Sequence, residues 1–331
     1  MRQKGNRMVM QILNKGANST VFIDENEPGI VIKKANDPKS NTYLNRQQHG
    51  YDIIESIKLY NKDIGVALPE LVEINNKEQT IKEKIMHGVT FDRNSVYLGL
   101  SEQHKNDIAK QMAIFLNAMH SSSECQPAQE SIINMQKNGP KNADEIIAKF
   151  NGLLPKHIVN KLKQAEEYLQ TSDISDEVIA MTHKDLRISN LMYDANTNKL
   201  AVLDFELAGP DNVYRDFIAG APGSSMPWDF TKRVIDYYNQ IPDKKYPIKI
   251  NPEKVQNMLL YGILHEYARC VRANDNLNDT ITILLQKLKS VTGINFDTKQ
   301  LYENAINKVQ TMRAKEQPGI EIQNNVGRED R

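Results

Sequence analysis

The chain has 331 residues, with 42 Lys plus Arg against 42 Asp plus Glu, and 40% of its residues are apolar. A net charge of zero on an ordinary globular composition suits about two lobes and argues against a globally basic nucleic-acid binder. Cys125 and Cys270 are too few for a disulfide framework or a Cys-based zinc site, and they suit a reducing compartment.

The N-terminal segment MRQKGNRMVMQIL is positive, but its apolar run is broken by Gln11 and is too short for a signal-peptide core. Apolar stretches such as Met258–Leu264 fall far short of the ~20 residues of a membrane span. A cytoplasmic protein without a membrane span is expected. Three apolar runs follow: Met8–Leu13, Val21–Ile23 and Ile30–Lys33, separated by turn-prone Lys15–Thr20 and Glu27–Gly29. Such spacing predicts an antiparallel meander. Thr42–Tyr60 carries Tyr51, Ile53, Ile54 and Ile57 at helical spacing. After Pro69, Leu71–Ile74 and Thr80–Ile85 flank a polar turn and read as a hairpin.

Beyond Gly88 the pattern turns helical. Glu102–His120, Ala143–Phe150 and Pro155–Leu169 read as helices, with Ser121–Pro140 as loop. Val178–Met181, Leu191–Tyr193 and Leu200–Leu203 are short apolar strands around a polar loop. Four more helical patterns lie near Phe230–Asn239, Pro252–Ala273, Asp279–Val291 and Lys299–Ala314. The expected class is α+β and bilobal. Residues 1–88 form a small antiparallel-sheet N-lobe, 89–314 a larger, mainly helical C-lobe, and 315–331 a polar, mobile tail.

The strongest chemical signal is Thr182-His183-Lys184-Asp185-Leu186-Arg187-Ile188-Ser189-Asn190-Leu191, followed by Leu203-Asp204-Phe205-Glu206. Polar clusters at the ends of short apolar strands let Asp185, Asn190 and Asp204 converge. Mg²⁺ takes hard oxygen ligands, typically one or two carboxylates with phosphate oxygens and water. An Asn amide oxygen and one Asp meet that need, and a second Asp is free to accept a proton from an attacking hydroxyl.

The spacing His183-x-Asp185-x-x-x-x-Asn190, with Asp204 after an apolar strand, resembles the aminoglycoside phosphotransferase and choline kinase family of small-molecule kinases. The resemblance runs from Met8 to about Ala314 and implies a protein-kinase-like fold. It implies a nucleotide-binding N-lobe, a catalytic and substrate-binding C-lobe, and transfer of the ATP γ-phosphate to a small-molecule hydroxyl. ATP and Mg²⁺ are the implied cofactors, with GTP left open. By position, Asp185 resembles the catalytic base, and Asn190 and Asp204 the metal ligands. Arg187 sits where related kinases place a cation on the transferred phosphoryl group; a salt bridge within the loop is the alternative. His183 is expected to support the loop by hydrogen bonding, and Asp216 to brace it through backbone N–H groups.

In the N-lobe, Lys33 resembles the phosphate-binding lysine, with Lys34 pointing away. Its carboxylate partner is expected from the next helix at Glu55, or at Asp52 one turn earlier. Gly16 and Ser19 resemble the phosphate loop, whose small residues let backbone N–H groups approach phosphate. Glu83 and Ile85 fall where backbone groups read the base. Glu206, Asp211, Tyr214 and Trp228, with Asp229 and Glu266, are the candidate acceptor contacts. An aromatic plus carboxylates suits a cationic amino alcohol or aminoglycoside. The alternatives are a loop-capping role for Glu206 and plain packing for Tyr214 and Trp228. A protein kinase fits less well, because the phosphate loop has one glycine and no Ala-Pro-Glu follows Asp204. A silent nucleotide-binding protein is opposed by the intact set Lys33, Asp185, Asn190 and Asp204.

Overall fold

The computed structural model describes residues 10–16, 18–24, 27–37, 42–61, 63–91, 94–128, 143–149, 177–218, 226–242 and 244–273, with isolated positions within 154–166 and 286–307. Strands β1 (Met10–Lys15), β2 (Ser19–Asp24) and β3 (Ile30–Ala35) form the expected meander. Helix α1 (Thr42–Tyr60) follows, then the hairpin of β4 (Leu71–Asn75) and β5 (Thr80–Lys84). The five strands form one antiparallel sheet in the order β1-β2-β3-β5-β4. β5 therefore lies beside β3, so its inward residues face the same space as Lys33.

The helical part begins after a two-residue strand, β6 (Val89–Thr90), and a short helix, α2 (Asn94–Leu98). Helix α3 (Glu102–His120) starts where Ser101 Oγ accepts the His104 N–H at 3.2 Å, satisfying one of the donors a helix start leaves open. Its stripe Ile108, Met112, Phe115, Leu116 and Met119 is fully buried. After β7 (Gln126–Pro127) and α4 (Ala143–Lys149), three strands frame the polar loop: β8 (Val178–Thr182), β9 (Leu191–Asp194) and β10 (Lys199–Val202). β11 (Gly209–Asn212) pairs with β8, and β6, β9 and β10 make a second small sheet. Helices α5 (Arg215–Ile218), α6 (Trp228–Gln240) and α7 (Pro252–Ala273) close the core. The patterns at Pro155–Leu169, Asp279–Val291 and Lys299–Ala314, the tail 315–331 and loop positions 129–140 lie largely or wholly outside the described residues. Among the described residues, no helix is long and apolar enough to cross a membrane.

The segment between α1 and β4 leaves the five-stranded sheet and docks on the helical part. Asn61 Nδ2 donates to Ala118 O at 3.1 Å, and Ala67 exchanges backbone bonds with β10 at 2.8 and 3.1 Å. Gly65, at φ +73°, lies so close to α3 that a Cβ would sit 2.5 Å from Gln111 O. The chain crosses again at Gly88, φ +130°, where a Cβ would meet the Tyr193 carbonyl oxygen at 2.7 Å. Glycine is required at both crossings by conformation and by space.

Under β8 and β11 lies an ion pair wholly removed from solvent. Lys254 Nζ stands 2.7 Å from Glu177 Oε1, Asn212 Nδ2 donates to Oε2, and the ammonium lies 4.7 Å from the centre of the Tyr214 ring. Removing one partner strands the other charge in the interior, which costs about 3–5 kcal/mol. Lys254→Met is expected to lower the unfolding free energy by about that much in urea titration. Adding Glu177→Gln to Lys254→Met should recover part of the loss.

Candidate active site

The polar loop after β8 is fixed from beneath by Asp216, a fully buried residue at the start of α5. Its carboxylate accepts the His183 N–H at 3.0 and 3.1 Å and the Lys184 N–H at 3.0 Å. His120 Nε2 lies 3.2 Å away on the other side, with its Nδ1 3.0 Å from the Tyr238 hydroxyl. A carboxylate only accepts, so His120 Nε2 carries the proton. This is the brace expected of Asp216.

His183 is buried, and its role follows from its partners. Nε2 lies 2.9 Å from Leu203 O, while Nδ1 faces the Asp185 N–H at 3.4 Å. A carbonyl needs a donor and an N–H needs an acceptor, so Nε2 holds the single proton. Burial lowers the ring's pKa below its ordinary value, against the pull of Asp216 and the Leu203 carbonyl. His183 thus ties the Asp185 loop to the strand end before Asp204, as a support rather than a proton carrier.

Asn190 ends a single 3₁₀ turn, Ile188–Asn190, and its Nδ2 donates to Asp185 O at 2.8 Å and Asp185 Oδ2 at 3.0 Å. With the amide nitrogen committed, Oδ1 is the atom left for a cation. The Leu203 N–H donates to Asn190 O at 2.9 Å and brings Asp204 to the same place. Lys184 and Asp204 have φ of +64° and +66°, left-handed values that cost a non-glycine residue about 1–3 kcal/mol. Both strained positions flank the candidate chemistry. Arg187 Nη2 lies 2.9 Å from Asp185 Oδ2, a salt bridge within the loop.

The N-lobe supplies the other wall. Lys33, Glu83, Asp204 and Glu206 line one narrow cleft with Gln47, Gly50 and Tyr51 of α1. Lys33 Nζ pairs with Glu83 Oε1 at 2.7 Å, and the Tyr51 hydroxyl donates to the same oxygen. This corrects the expectation for Glu55: that side chain is 72% exposed and pairs with Lys58 at 2.9 Å. It flanks the inward stripe Gln47, Gly50, Tyr51, Ile54 instead of lying in it. Asp52 is also exposed and accepts from Gln48. Of the two backbone groups of Ile85 expected to face a base, the N–H is already donated to Gly29 O at 2.7 Å. Glu83 in turn enters the site through its side chain and not its backbone.

The phosphate loop is shaped by its own backbone. The Gly16 N–H donates to Ser19 O at 2.8 Å, and Asn36 Nδ2 donates to Gly16 O at 2.9 Å. Asn18 reaches across to the helical part, where its Nδ2 donates to Glu206 Oε1 at 3.0 Å; Gln47 Nε2 donates to Oε2 at 3.2 Å. Glu206 therefore lies at the cleft with both oxygens engaged.

Among the described residues, the aromatic and acidic groups expected around a cationic acceptor are engaged with neighbours of their own. Tyr214 is fully buried, and its hydroxyl accepts the Asn251 N–H at 3.1 Å, so it is a packing residue. Trp228 is half-buried against the core. Asp229 is held by Tyr97 at 2.7 Å and Arg233 at 3.0 Å, and Asp211 by Arg215 at 3.0 Å. The Glu266 side chain lies outside the described residues.

Asn18, Asn36, Gln47 and Tyr51 belong to the site and were not read from the sequence. The helical period carried a signal for two of them, since Gln47 and Tyr51 fall with Ile54 on one stripe of α1. Asn36 follows from the register that sets Ser19 opposite Ala35, which needs the strand pairing to be known.

A small antiparallel sheet facing a helical body, with an Asp-Asn-Asp cluster and a paired Lys at the junction, defines a protein-kinase-like phosphotransfer enzyme. The chain belongs to the phosphotransferase enzyme family, whose model matches residues 10–241. Among solved structures, wild-type aminoglycoside 2'-phosphotransferase-IIIa in its GDP complex is 14% identical, with 86% of this chain and 94% of that one covered and a TM-score of 0.54. The gentamicin complex of APH(2")-IIa is 17% identical over 85% of this chain and 92% of that one, with a TM-score of 0.50. Choline kinase LicA from Streptococcus pneumoniae is 15% identical over 91% and 93%, at a TM-score of 0.44. At these identities the likeness to the two aminoglycoside phosphotransferases is one of fold alone. No curated protein matches the chain.

Asp216→Ala leaves the buried His183 N–H and the part-buried Lys184 N–H without their acceptor, at about 1–3 kcal/mol for the buried one. It is expected to lower the melting temperature and to depress turnover more than nucleotide affinity, measured by calorimetry alongside ADP release.

Proposed function

We propose that the chain transfers the γ-phosphoryl group of ATP, with GTP as the alternative donor, to a hydroxyl of a small molecule. The observation that carries this reading is the convergence of Asp185, Asn190 and Asp204 on one loop system opposite Lys33. Among the described residues, no cluster of three His, Cys, Asp or Glu side chains could hold a metal. Asn190 Oδ1 and the Asp204 carboxylate are hard oxygens, a pair that suits Mg²⁺ when phosphate oxygens and water complete the shell. They are the residues that would hold the ion, and when bound it would offset charge on the nucleotide phosphates.

Lys33 adds a fixed cation for those phosphates. The backbone N–H groups around Gly16 and Ser19 are the donors for a phosphate approaching under the loop. With Ile85 committed to Gly29, base contacts fall to the residues just after β5, Met86 and His87. Asp185 orients the acceptor hydroxyl and receives its proton at a carboxylate oxygen. Arg187, on the same carboxylate, brings positive charge to the place where the phosphoryl group is transferred. The lobes divide this work, with 1–88 holding nucleotide and 89–314 holding acceptor and catalytic groups.

For the acceptor, a hydroxylated amine such as an amino alcohol or aminoglycoside stays the favoured class. Its support is reduced to Glu206, whose partners at the cleft are the neutral amides of Asn18 and Gln47, since Asp185, Asp211 and Asp229 are each paired with an arginine and Tyr214 is buried. A cytoplasmic site of action accords with Cys125, whose thiol is partly buried and pushed up to about 11 by burial, an unreactive state.

Mg·ATP or Mg·GTP is expected to raise the melting temperature, since a ligand of the native state stabilises it. Absence of calorimetric binding for both would defeat the reading. With a panel of hydroxylated metabolites and ADP release as the signal, Asp185→Ala should cut kcat by at least about 10²-fold and leave nucleotide affinity nearly unchanged. Asp204→Ala should weaken both. Matched cationic and neutral acceptors, compared at low and moderate salt, test the amine: a preference for neutral compounds without salt sensitivity in kcat/KM removes it.

A further inference from the structure

We infer that Glu83 on β5, backed by the Tyr51 hydroxyl, is the residue that positions Lys33 for the nucleotide phosphates, and that helix α1 contributes no acid to that task. The inference rests on the phosphotransfer reading and deepens it.

The register places the pair. Val31 stands opposite Glu83 and Lys33 opposite Ile81 across the antiparallel β3–β5 ladder. Side chains two apart on a strand share a face, and directly opposed residues share it too. Glu83 is therefore the diagonal neighbour of Lys33 on the cleft side, and the ion pair closes at 2.7 Å. Glu83 is only 4% exposed. A carboxylate so buried persists when it is paired and hydrogen-bonded, and the Lys33 ammonium and the Tyr51 hydroxyl supply both. Desolvation alone would lower the Lys33 pKa; Glu83, with smaller help from Tyr43 and Asp204, more than offsets it and holds the amine charged.

The helix offers nothing equivalent. Its cleft-facing residues are Gln47, Gly50, Tyr51 and Ile54. Its acids Asp52 and Glu55 are exposed and bonded to Gln48 and Lys58. Gly50 brings α1 against the metal loop, where an added Cβ would lie 2.9 Å from Phe205 O. The helix thus touches the site through a hydroxyl, an amide and a bare backbone. Lysine and its acid belong to a single sheet, and α1 supports their alignment through the Tyr51 hydroxyl.

The test is calorimetric titration of the full chain with Mg·ATP and Mg·GTP, and with the nucleoside of whichever nucleotide binds. Glu83→Gln should weaken the triphosphate by at least about tenfold, as expected for loss of a charge-assisted bond, and the nucleoside by less than about twofold. Glu83→Asp, which keeps the charge, should recover part of the loss. In a Lys33→Met background, Glu83→Gln should add nothing, because the two residues act as one unit. Glu55→Gln should behave as wild type. The inference is overturned if Glu83→Gln binds triphosphate as wild type does, or loses nucleoside and triphosphate equally, which would mark a merely structural role. Loss of triphosphate affinity in Glu55→Gln also overturns it. Should Glu83→Gln fail to fold, the double variant, which leaves no unpaired charge, decides together with Glu55→Gln: equality with Lys33→Met supports the inference and additional loss overturns it. A wild-type chain that binds neither nucleotide overturns the phosphotransfer reading itself, whereas wild-type binding with an unaltered Glu83→Gln overturns this inference alone.

Discussion

One buried carboxylate fixes the geometry on which the site depends. Asp216 has no contact with solvent, and it is committed to two successive backbone N–H groups and the His120 ring. Those N–H groups belong to the residues just before Asp185, so their direction sets where the Asp185 carboxylate stands. The same loop carries His183, whose ring reaches the carbonyl before Asp204. Two left-handed residues are held in place by these bonds. The strain is local, and the interior around α3, α5 and α6 sustains it.

The sequence made this half of the molecule readable for a physical reason. Its signal is a run of closely spaced residues between short apolar strands, and local spacing survives without knowledge of pairing. Helices α1, α3 and α7 were readable by the same token, since their apolar period lies within one segment. The Lys33 partner was different. A helix acid four residues past Tyr51 looks equivalent to an inward position on a helical wheel, and only the orientation of the stripe separates Glu55 from Tyr51. The true partner depends on β5 being the neighbour of β3, a pairing made across forty-odd residues of sequence, and register alone decides which face each side chain takes. Tyr214 and Asp229 take other partners in the structure for a related reason. An aromatic near an acid in sequence says nothing of which way each points, and the interior claimed one through Asn251 and Lys254 while Arg233 and Tyr97 claimed the other.

The two halves of the site are built by opposite means. In the helical part, charge is fixed by backbone groups and buried side chains, so the loop arrives organised. In the sheet part, the phosphate loop is held by the bond from Gly16 to Ser19 and by Asn36, and its reach to Glu206 comes from one Asn side chain. One half is held on buried charge and the other on backbone and amide bonds.

The route of the chain between the two parts has a mechanical consequence. The segment around Asn61–Ala67 is stitched to α3 and β10, and the segment at Gly88 rests on the Tyr193 carbonyl. The sheet side thus meets the helical body at both crossings and again at the cleft, where an added Gly50 Cβ would lie 2.9 Å from Phe205 O. A side chain at Gly50, Gly65 or Gly88 would act as a wedge between the two parts, so the width of the cleft is set by residues that have no side chain at all.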